Sequence, residues 1–255
     1  MTLTRLVPIP DNINPGIAPA RQRTMLSLLG SPRNSFGTDC LPVINPAIAR
    51  LIVHEDAGPF RVRGLRPAVA SLRAVLAVIA DAEPDLYSAI GHMGMLCARL
   101  VRGSATAISN HAWGTAIDLT LEGQLDTRGD GRVQVGLTRI FPYFNAAGWF
   151  WGAGFRTEDA MHFEAGDALI RQWHEQGAFD SSAIPADVAL GLGDRGPDVA
   201  ELQRALNASM DATLVIDGDF GLATHALTLA FQSAHGLYPD GIVGTRTLAA
   251  LQATG

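Results

Sequence analysis

The sequence predicts an α+β domain followed by a small domain of three helices. Helical and strand-like periodicities both occur in the first 178 residues, whereas only helical periods follow residue 190. The chain has 255 residues, 47% hydrophobic and 17% charged, enough for one large domain or two ordinary ones. Residues 179–189 are mostly small or polar and include a proline. We therefore interpret 1–178 and 190–255 as domains and 179–189 as a linker.

The first domain begins with a segment that has little regular pattern. Residues 1–66 are interrupted by proline and glycine and contain only short candidate strands such as 60–62. From Pro67 until Pro84, hydrophobic residues recur at helical spacing, which predicts a helix with proline in its first turn. Its marker residues are Val69, Leu72, Leu76 and Ile79. Residues 115–121 form a β-branched run that is typical of a strand.

Further helices are predicted towards the C-terminus. Residues 167–175 read as a helix with Asp167 as its N-cap and Gly177 just past its end. Three short helices follow residue 190, and Gly236 is expected to end the second. Their hydrophobic markers are Val199, Leu202 and Leu206, then Leu227, Ala230, Phe231 and Ala234, then Leu248 and Leu251.

A repeated motif lies between these helices. Asp217-Gly218-x-Phe220-Gly221-x-x-Thr224 recurs as Asp240-Gly241-x-Val243-Gly244-x-x-Thr247, and each copy runs into a helix. The Asp-Gly pair predicts a tight turn, and we expect the second glycine of each copy to allow a close backbone approach. About sixty residues with three short helices make a small bundle rather than an enzyme core.

Composition excludes several classes of function. The formal net charge of −6 argues against a nucleic-acid-binding surface, which needs clustered basic residues. All 19 basic residues are arginine, so a Schiff-base lysine, a phosphate-loop lysine and a Ser–Lys nucleophile pair are excluded. The cysteines, Cys40 and Cys97, are too few for a disulfide framework. One bridge or two free thiols remain open, and we expect free thiols.

No targeting signal is evident in the sequence. The N-terminal stretch is broken by prolines, and no run reaches the ~18 apolar residues of a membrane span. We expect a protein made in the cytoplasm without a signal peptide, which reaches any other compartment by a separate route.

The richest chemical cluster in the sequence spans residues 109–118. His111 and Asp118 lie on either side of a glycine-containing loop, and His162 occurs downstream with Asp159 three residues before it. Imidazole and carboxylate groups suit zinc, which needs three protein ligands and one open position for catalysis. Spacing alone leaves open whether these residues hold a metal or are ordinary packed and surface residues.

The C-terminal segment closely resembles the peptidoglycan-binding domain of cell-wall hydrolases. The resemblance covers essentially all of residues 190–252, and the paired DGxxGxxT elements make it specific. It implies that bacterial peptidoglycan is the partner of this domain.

The segment SNHAWGTAIDL is similar to the Ser-x-His-x-x-Gly-x-Ala-x-Asp motif of the M15 family of zinc D,D-carboxypeptidases and L-alanyl-D-glutamate endopeptidases. WGAGFRTEDAMHFE resembles the second metal segment of the same family. The resemblance, which spans roughly residues 86–165, implies a hedgehog/D,D-peptidase-like fold and zinc held by His111, Asp118 and His162. It also implies that Asp159 is the general base, with Glu158 as its rival.

Further site residues follow from this resemblance. Arg99 and Arg102, just before the motif, are the candidate cations for the developing oxyanion and the substrate carboxylates. Ser109 and Trp113 are candidate substrate-binding residues, although Ser109 also suits a turn and Trp113 also suits the core. Residues 126–131 faintly resemble a calcium loop but lack its ligand spacing, so we expect a solvated turn.

The expected function is that of a monomeric peptidoglycan hydrolase that cuts stem peptides internally. The expected bond is the one between L-Ala and D-Glu, or another internal bond. The alternatives are removal of terminal D-alanine and a catalytically inactive wall-binding protein. Without a signal peptide, the protein would reach the cell wall after holin-type release or by another export route.

Overall fold

The computed structural model describes residues 2–179, 190–237, 239, 241 and 243–254. The chain divides into two compact units, residues 1–180 and 181–255, which are described separately. The predicted linker, apart from Phe179, and Asp240 of the second repeat lie outside the described residues. Within the described part of the chain, no helix is both long enough and apolar enough to cross a membrane.

The first unit combines helices and short strands, as the predicted α+β class requires. Its helices are α1 (Gln22–Leu28), α2 (Pro46–Ala49), α3 (Arg66–Ala82), α4 (Pro84–Ala89), α5 (Val135–Ala146) and α6 (Asp167–Glu175). Its strands are β1 (Leu6–Pro8), β2 (Ile52–Asp56), β3 (Arg61–Leu65), β4 (Ile90–Gly94), β5 (Ala116–Leu121), β6 (Arg132–Gln134), β7 (Trp149–Trp151) and β8 (His162–Ala165).

Helix α3 is the longest of these elements and confirms the sequence prediction. Its predicted hydrophobic stripe is buried, and proline stands in its first turn. The candidate strand at 60–62 begins one residue later and continues to Leu65, because β3 pairs antiparallel with β2 along its whole length. A pattern of three residues could not show that extension.

Four strands form the sheet that carries two of the predicted metal ligands, in the order β4–β5–β8–β7, with every neighbouring pair antiparallel. Strand β5 corresponds to the predicted run at 115–121. Its inner position places it between β4 and β8, so residues from two neighbouring strands lie beside it. Fully buried aromatic side chains, Phe144, Trp149, Trp151 and Phe163, form part of the core of this unit.

The N-terminal segment, despite its lack of pattern, packs into the first unit. The side-chain amide of Asn14 donates to the carbonyl of Trp151 at 2.9 Å. The backbone of Arg21 and the hydroxyl of Thr24 both donate to Asp167, at 3.1 and 2.6 Å. Asp167 was expected to cap α6, but Gly166 occupies the N-cap, and the aspartate joins α1 to α6 instead.

The two cysteines form a disulfide, so the expectation of free thiols is wrong. Cys40 and Cys97 are 57 residues apart in sequence, with their Cα atoms 5.0 Å apart. Backbone pairing between Leu41 and Ala98, next to the two cysteines, holds the same segments together. Spacing in the sequence carries no information about this proximity.

The described part of the second unit contains three helices, as predicted: α7 (Pro197–Met210), α8 (Leu222–Ala234) and α9 (Thr245–Thr254). Their inward faces form one hydrophobic core, which consists of Leu190, Val199, Leu202, Leu206, Phe220, Phe231, Val243, Leu248 and Leu251. The predicted hydrophobic markers of the first and third helices all belong to this core.

A buried glutamine fixes each repeated turn of this unit. Gln203 donates to Asp217 at 2.9 Å and to the hydroxyl of Thr224 at 3.1 Å, while its carbonyl accepts from the backbone of Gly218 at 2.9 Å. In the second copy, Gln232 donates to the hydroxyl of Thr247 at 3.2 Å and accepts from the backbone of Gly241 at 2.9 Å. The sequence repeat is therefore also a repeat of hydrogen bonds.

The close backbone approach occurs at the first glycine of the motif, not the second. Gly218 has φ +71°, and a Cβ atom there would lie 2.9 Å from the carbonyl oxygen of Gly196. At Gly221 and Gly244, a Cβ atom would meet no atom within 4 Å. The expectation for the second glycine is wrong, and Gly221 instead stands at the N-cap of α8.

We predict that Gln203→Met destabilises the second unit by about 2–3 kcal/mol, because the buried Thr224 and the backbone nitrogen of Gly218 lose their hydrogen bonds with this side chain. Gln203 is 1% exposed, so water cannot replace the lost bonds. Urea unfolding of the full chain measures the effect. Arg204→Met, at the exposed neighbouring position of the same helix, is the matched control. Equal stability of the two variants would contradict the prediction.

Candidate functional site

Antiparallel pairing places two of the predicted metal ligands opposite each other. In the register between β5 and β8, Asp118 is the direct partner of His162. Side chains of directly opposed residues emerge on the same face of a sheet. Their separation of 44 positions in the sequence therefore does not separate them in space.

The third predicted ligand comes from the turn before β5. His111 lies in a short 3-10 segment, Asn110–Trp113, which ends at Gly114 in the left-handed conformation, φ +69°. A Cβ atom at Gly114 would lie 2.7 Å from the backbone nitrogen of Leu65. The motif glycine is therefore required for both its φ and its close approach to β3. This turn directs the polypeptide from His111 into β5.

Three potential ligand atoms converge at one point. Nε2 of His111 lies 3.2 Å from Oδ1 of Asp118 and 3.2 Å from Nδ1 of His162. Nδ1 of His162 lies 3.1 Å from the same Oδ1 of Asp118. Ligands about 2.0–2.1 Å from a tetrahedral zinc ion are separated by about 3.3 Å, so the triangle has the size that such an ion requires. Among the described residues, these three make up the group that can hold a metal ion.

The other nitrogen of each histidine has its own partner. Nδ1 of His111 lies 3.0 Å from the carbonyl of Met95, and Nε2 of His162 lies 2.9 Å from Glu164. An N–H directed at each of these oxygens leaves the remaining nitrogen of each ring unprotonated and facing the centre. Without an ion, three atoms that all carry lone pairs and no hydrogen would face one another there. These atoms are ligands of the kind that zinc binds, so the site fits zinc.

Electrostatics favour an ionised Asp118. Burial alone would raise the pKa of its carboxyl group, but the close approach of the His111 and His162 rings holds that pKa well below its usual range. A carboxylate that stays ionised is the form that can bind a cation.

Asp159 lies in the turn that leads into β8. Its backbone nitrogen donates to Gly152 at 2.9 Å, and its carbonyl accepts from the backbone of His162 at 3.0 Å. Burial raises the pKa of the Asp159 carboxyl group above its ordinary value. Nε of Arg128 lies 3.2 Å from Oδ2 of this aspartate. Asp159 lines the same cleft as the three ligand residues.

Glu158, the alternative candidate for the general base, is buried and bonded to the backbone of a loop. It is 7% exposed, and its Oε1 accepts hydrogen bonds from the backbone of Gly129 at 2.5 Å and of Asp130 at 2.8 Å. Its carboxylate thus anchors the 126–131 loop. Of the two candidates for the general base, Asp159 is the one that lines the cleft.

The 126–131 loop is not a solvated turn throughout, contrary to expectation. Asp126 is 3% exposed and accepts from the backbone of Gln134 at 2.6 Å. Its burial, together with the neighbouring acids Asp130 and Glu158, raises the pKa of Asp126 to about 6. The other residues of the loop are exposed.

A cleft of about 890 Å³ surrounds the three ligand residues. Arg99, Arg102 and Ser109 line it, so the structure brings these predicted residues to the same cavity as His111, Asp118 and His162. The backbone nitrogen of Ser109 donates to the carbonyl of Arg99 at 3.0 Å, which joins the two segments. A guanidinium nitrogen of Arg99 donates to the carbonyl of Leu100 at 3.0 Å.

Trp113 does not line the cleft, so the expectation that it binds substrate is wrong. It is fully buried, and its indole nitrogen donates to the carbonyl of Gly30 at 2.8 Å. Trp151, at the end of β7, is also fully buried, and its indole nitrogen donates to the carbonyl of Ala160 at 2.7 Å. Large apolar area and a satisfied N–H explain why both belong to the core.

Two residues of the site, Arg128 and Glu164, were not predicted from the sequence. Arg128 lies in the loop that was interpreted as a solvated turn, and no spacing rule relates it to Asp159. Glu164 was noted only as the last letter of a motif. Residues two apart in a strand lie on one face, so the strand pattern alone could have placed Glu164 beside His162.

Two family profiles match separate parts of the chain. A family profile described as D-alanyl-D-alanine carboxypeptidase, of the M15 peptidases, matches residues 102–165. A peptidoglycan binding domain profile matches residues 195–251. The chain carries an M15 peptidase domain followed by a peptidoglycan-binding domain. The M15 match contains the three ligand residues, Asp159 and Arg128.

Individual relatives cover only part of the chain. N-acetylmuramoyl-L-alanine amidase CwlM of Mycobacterium tuberculosis is 45% identical over 56 residues, which make up 22% of this chain and 14% of that protein. A crystal structure of a Burkholderia AP3 phage endolysin is 51% identical over 26% of this chain and 25% of its own, with a TM-score of 0.25. The L,D-transpeptidase of Xylanimonas cellulosilytica is 46% identical over 28% of this chain and 35% of its own, also with a TM-score of 0.25.

We predict that the M15 domain binds about one zinc ion per chain and that His111→Ala, Asp118→Ala and His162→Ala each lose most of it after dialysis. Removing one of three ligands leaves too few donors for a stable site. Elemental mass spectrometry of the dialysed proteins measures the zinc content. His54→Ala, at an exposed position on β2, is the control. Full zinc content in the His162 variant would contradict the assignment.

Proposed function

We propose that this protein is a zinc-dependent peptidoglycan hydrolase that cuts amide bonds of the stem peptides. The convergence of His111, Asp118 and His162 on one point of a cleft that also contains Asp159 is the observation that carries the proposal. The peptidoglycan-binding domain that follows supports peptidoglycan as the substrate. An inactive wall-binding protein is disfavoured, because the proposed metal ligands and the proposed base line one cavity.

His111, Asp118 and His162 would hold the zinc ion, with Met95 and Glu164 fixing the two imidazole rings. When bound, zinc would serve as the Lewis acid that activates water and polarises the carbonyl of the scissile amide. Met95 contributes only its backbone carbonyl, whereas Glu164 contributes a buried carboxylate. These partners keep the ring nitrogens in the required orientation before any substrate arrives.

Asp159 would be the proton carrier of the reaction. Its carboxylate accepts a proton from the attacking water and returns it to the leaving amine. Partial burial raises the pKa of this group, which makes it a better proton acceptor than an exposed aspartate. Arg99 and Arg102 provide cationic donors in the same cleft for the developing oxyanion and for carboxylates of the stem peptide.

The bond that we propose is internal, between L-Ala and D-Glu. A domain that binds the wall benefits an enzyme that dismantles the polymer, because tethering raises the local concentration of substrate. Release of terminal D-alanine is the second candidate, and the description of the matching family as D-alanyl-D-alanine carboxypeptidase favours it. We further propose that the protein acts as a monomer on the cell wall after holin-type release or another export route.

We predict that Asp159→Asn lowers turnover by about 10²–10⁴-fold while zinc stays bound, because the amide can no longer accept a proton. Glu158→Gln should stay within a few-fold of the unaltered protein. Its amide oxygen can still accept the hydrogen bonds from Gly129 and Asp130. Release of soluble peptides from purified sacculi gives the rates, and elemental analysis gives the zinc content.

The two isosteric variants are controls for each other. Loss of turnover in Glu158→Gln with unchanged turnover in Asp159→Asn would move the proton-transfer role to Glu158. Loss in neither would remove both carboxylates from the chemistry.

We predict that digestion of purified sacculi generates new N-terminal D-Glu. Mass spectrometry of the soluble fragments, combined with N-terminal labelling, identifies the bond. Asp159→Asn, incubated in parallel, controls for other hydrolases in the preparation. Free D-alanine as the sole product, with the stem peptides otherwise intact, would replace endopeptidase by carboxypeptidase action.

A further inference from the structure

The side chain of Arg128 extends from the 126–131 loop to Asp159. Its Nε lies 3.2 Å from Oδ2 of Asp159, yet a third of its side chain, 33%, stays exposed. A guanidinium has five N–H donors in a planar fork, so one contact with Asp159 leaves donors for a second carboxylate. Arg128 lines the same cleft as the metal-ligand residues. It can therefore touch Asp159 and a substrate at the same time.

The loop that carries Arg128 is held in place. The buried Glu158 accepts from the backbone of Gly129 and Asp130, the two residues that follow Arg128. Asp126, at the start of the loop, is bonded to the backbone of Gln134. Because both ends of the short loop are fixed, the base of the Arg128 side chain is fixed as well. A pre-positioned arginine loses less entropy when it binds a ligand.

The charge of the cleft differs from that of the chain. The formal net charge of the chain is −6, yet four arginines line the cleft: Arg99, Arg102, Arg128 and Arg156. Its acidic lining residues are Asp118, Asp159 and Glu164. Asp118 and Glu164 contact the histidines of the metal group, and Asp159 pairs with Arg128. The remaining charge of the cavity is positive, which favours an anionic substrate.

We propose that Arg128 binds a carboxylate of the substrate directly beside the scissile amide and thereby selects stem peptides in which this group is ionised rather than amidated. The inference rests on the proposed function. In a stem peptide cut between L-Ala and D-Glu, the D-Glu residue is linked onward through its γ-carboxyl group, so its α-carboxylate is free. Its amidated counterpart, D-isoglutamine, has the same shape without the charge.

The physical basis of the selection is the difference between a charge-assisted and a neutral hydrogen bond. An arginine–carboxylate pair is shorter, stronger and often bidentate, whereas a primary amide offers one acceptor and no charge. We expect the protein to prefer the D-Glu peptide over the D-isoglutamine peptide by on the order of tenfold in kcat/KM. Arg128 also orients Asp159, which acts on both peptides alike, so the ratio between them isolates the contact with substrate.

The test compares hydrolysis of two synthetic stem peptides that differ only in this carboxylate or amide. The zinc-loaded full chain is assayed as the unaltered protein and as Arg128→Gln and Arg128→Lys. In Arg128→Gln, the tenfold preference should fall to about one, chiefly through a higher KM for the D-Glu peptide. In Arg128→Lys, which keeps the charge without the planar fork, part of the preference should return.

Arg132→Gln is the matched control, because it removes the same charge near the other end of the loop. Arg132 lies in β6, where its guanidinium donates to the backbone carbonyl of Leu6 at 2.9 Å. This variant should keep the full preference. Melting temperature and zinc content show that each variant is folded and loaded.

Two outcomes overturn the inference. One is equal kcat/KM for both peptides in the unaltered protein, and the other is an undiminished preference in folded Arg128→Gln. Both leave the proposed function intact, since hydrolysis of stem peptides would still be observed. If neither peptide is cut while control sacculi are also untouched, the proposed function itself fails, and the inference fails with it.

Discussion

The register between β5 and β8 is the constraint on which the candidate site depends. Because Asp118 stands directly opposite His162, their side chains meet on one face of the sheet. Side chains alternate along a strand, so a slip by one residue would direct one ligand into the core and the other towards the cleft. The buried neighbours Ile117 and Phe163, which are also paired, oppose such a slip. The same apolar contacts that hold the sheet together thus fix the arrangement of the candidate ligands.

The support of the site extends beyond its direct ligands. The backbone nitrogen of Ala20 donates to Oε1 of Glu164, whose other oxygen faces His162. The side-chain amide of Asn110, next to His111, donates to the carbonyl of Ala20 at 3.2 Å. One backbone unit of the irregular N-terminal segment therefore supports both histidines. Residues 1–66, which the family resemblance covers least, are part of the site's scaffold.

The sequence allowed us to predict the elements and residues that are recognisable from a local pattern. Helix α3 has a regular hydrophobic stripe, and the ligand residues lie in two specific motifs. Prediction failed where contacts between distant segments decide the structure. The disulfide joins Cys40 to Cys97 across 57 residues. The fully buried Trp113 donates to the carbonyl of Gly30, 83 residues earlier in the sequence. The role of Arg128 depends on a loop conformation set by Glu158, and single arginines in loops carry no periodic signal.

The glutamine contacts of the second unit bear on how such a domain can change during evolution. Gln203 is 15 residues from the glycine that it holds, whereas Gln232 is 9 residues from its own. The same hydrogen bonds thus close over connections of different length. The longer connection contains Val215 and Ile216, which are exposed at 74% and 45%. Exposed connections tolerate insertions and substitutions far better than a core does, so this connection can vary in length and sequence while the glutamine contacts and the core stay the same.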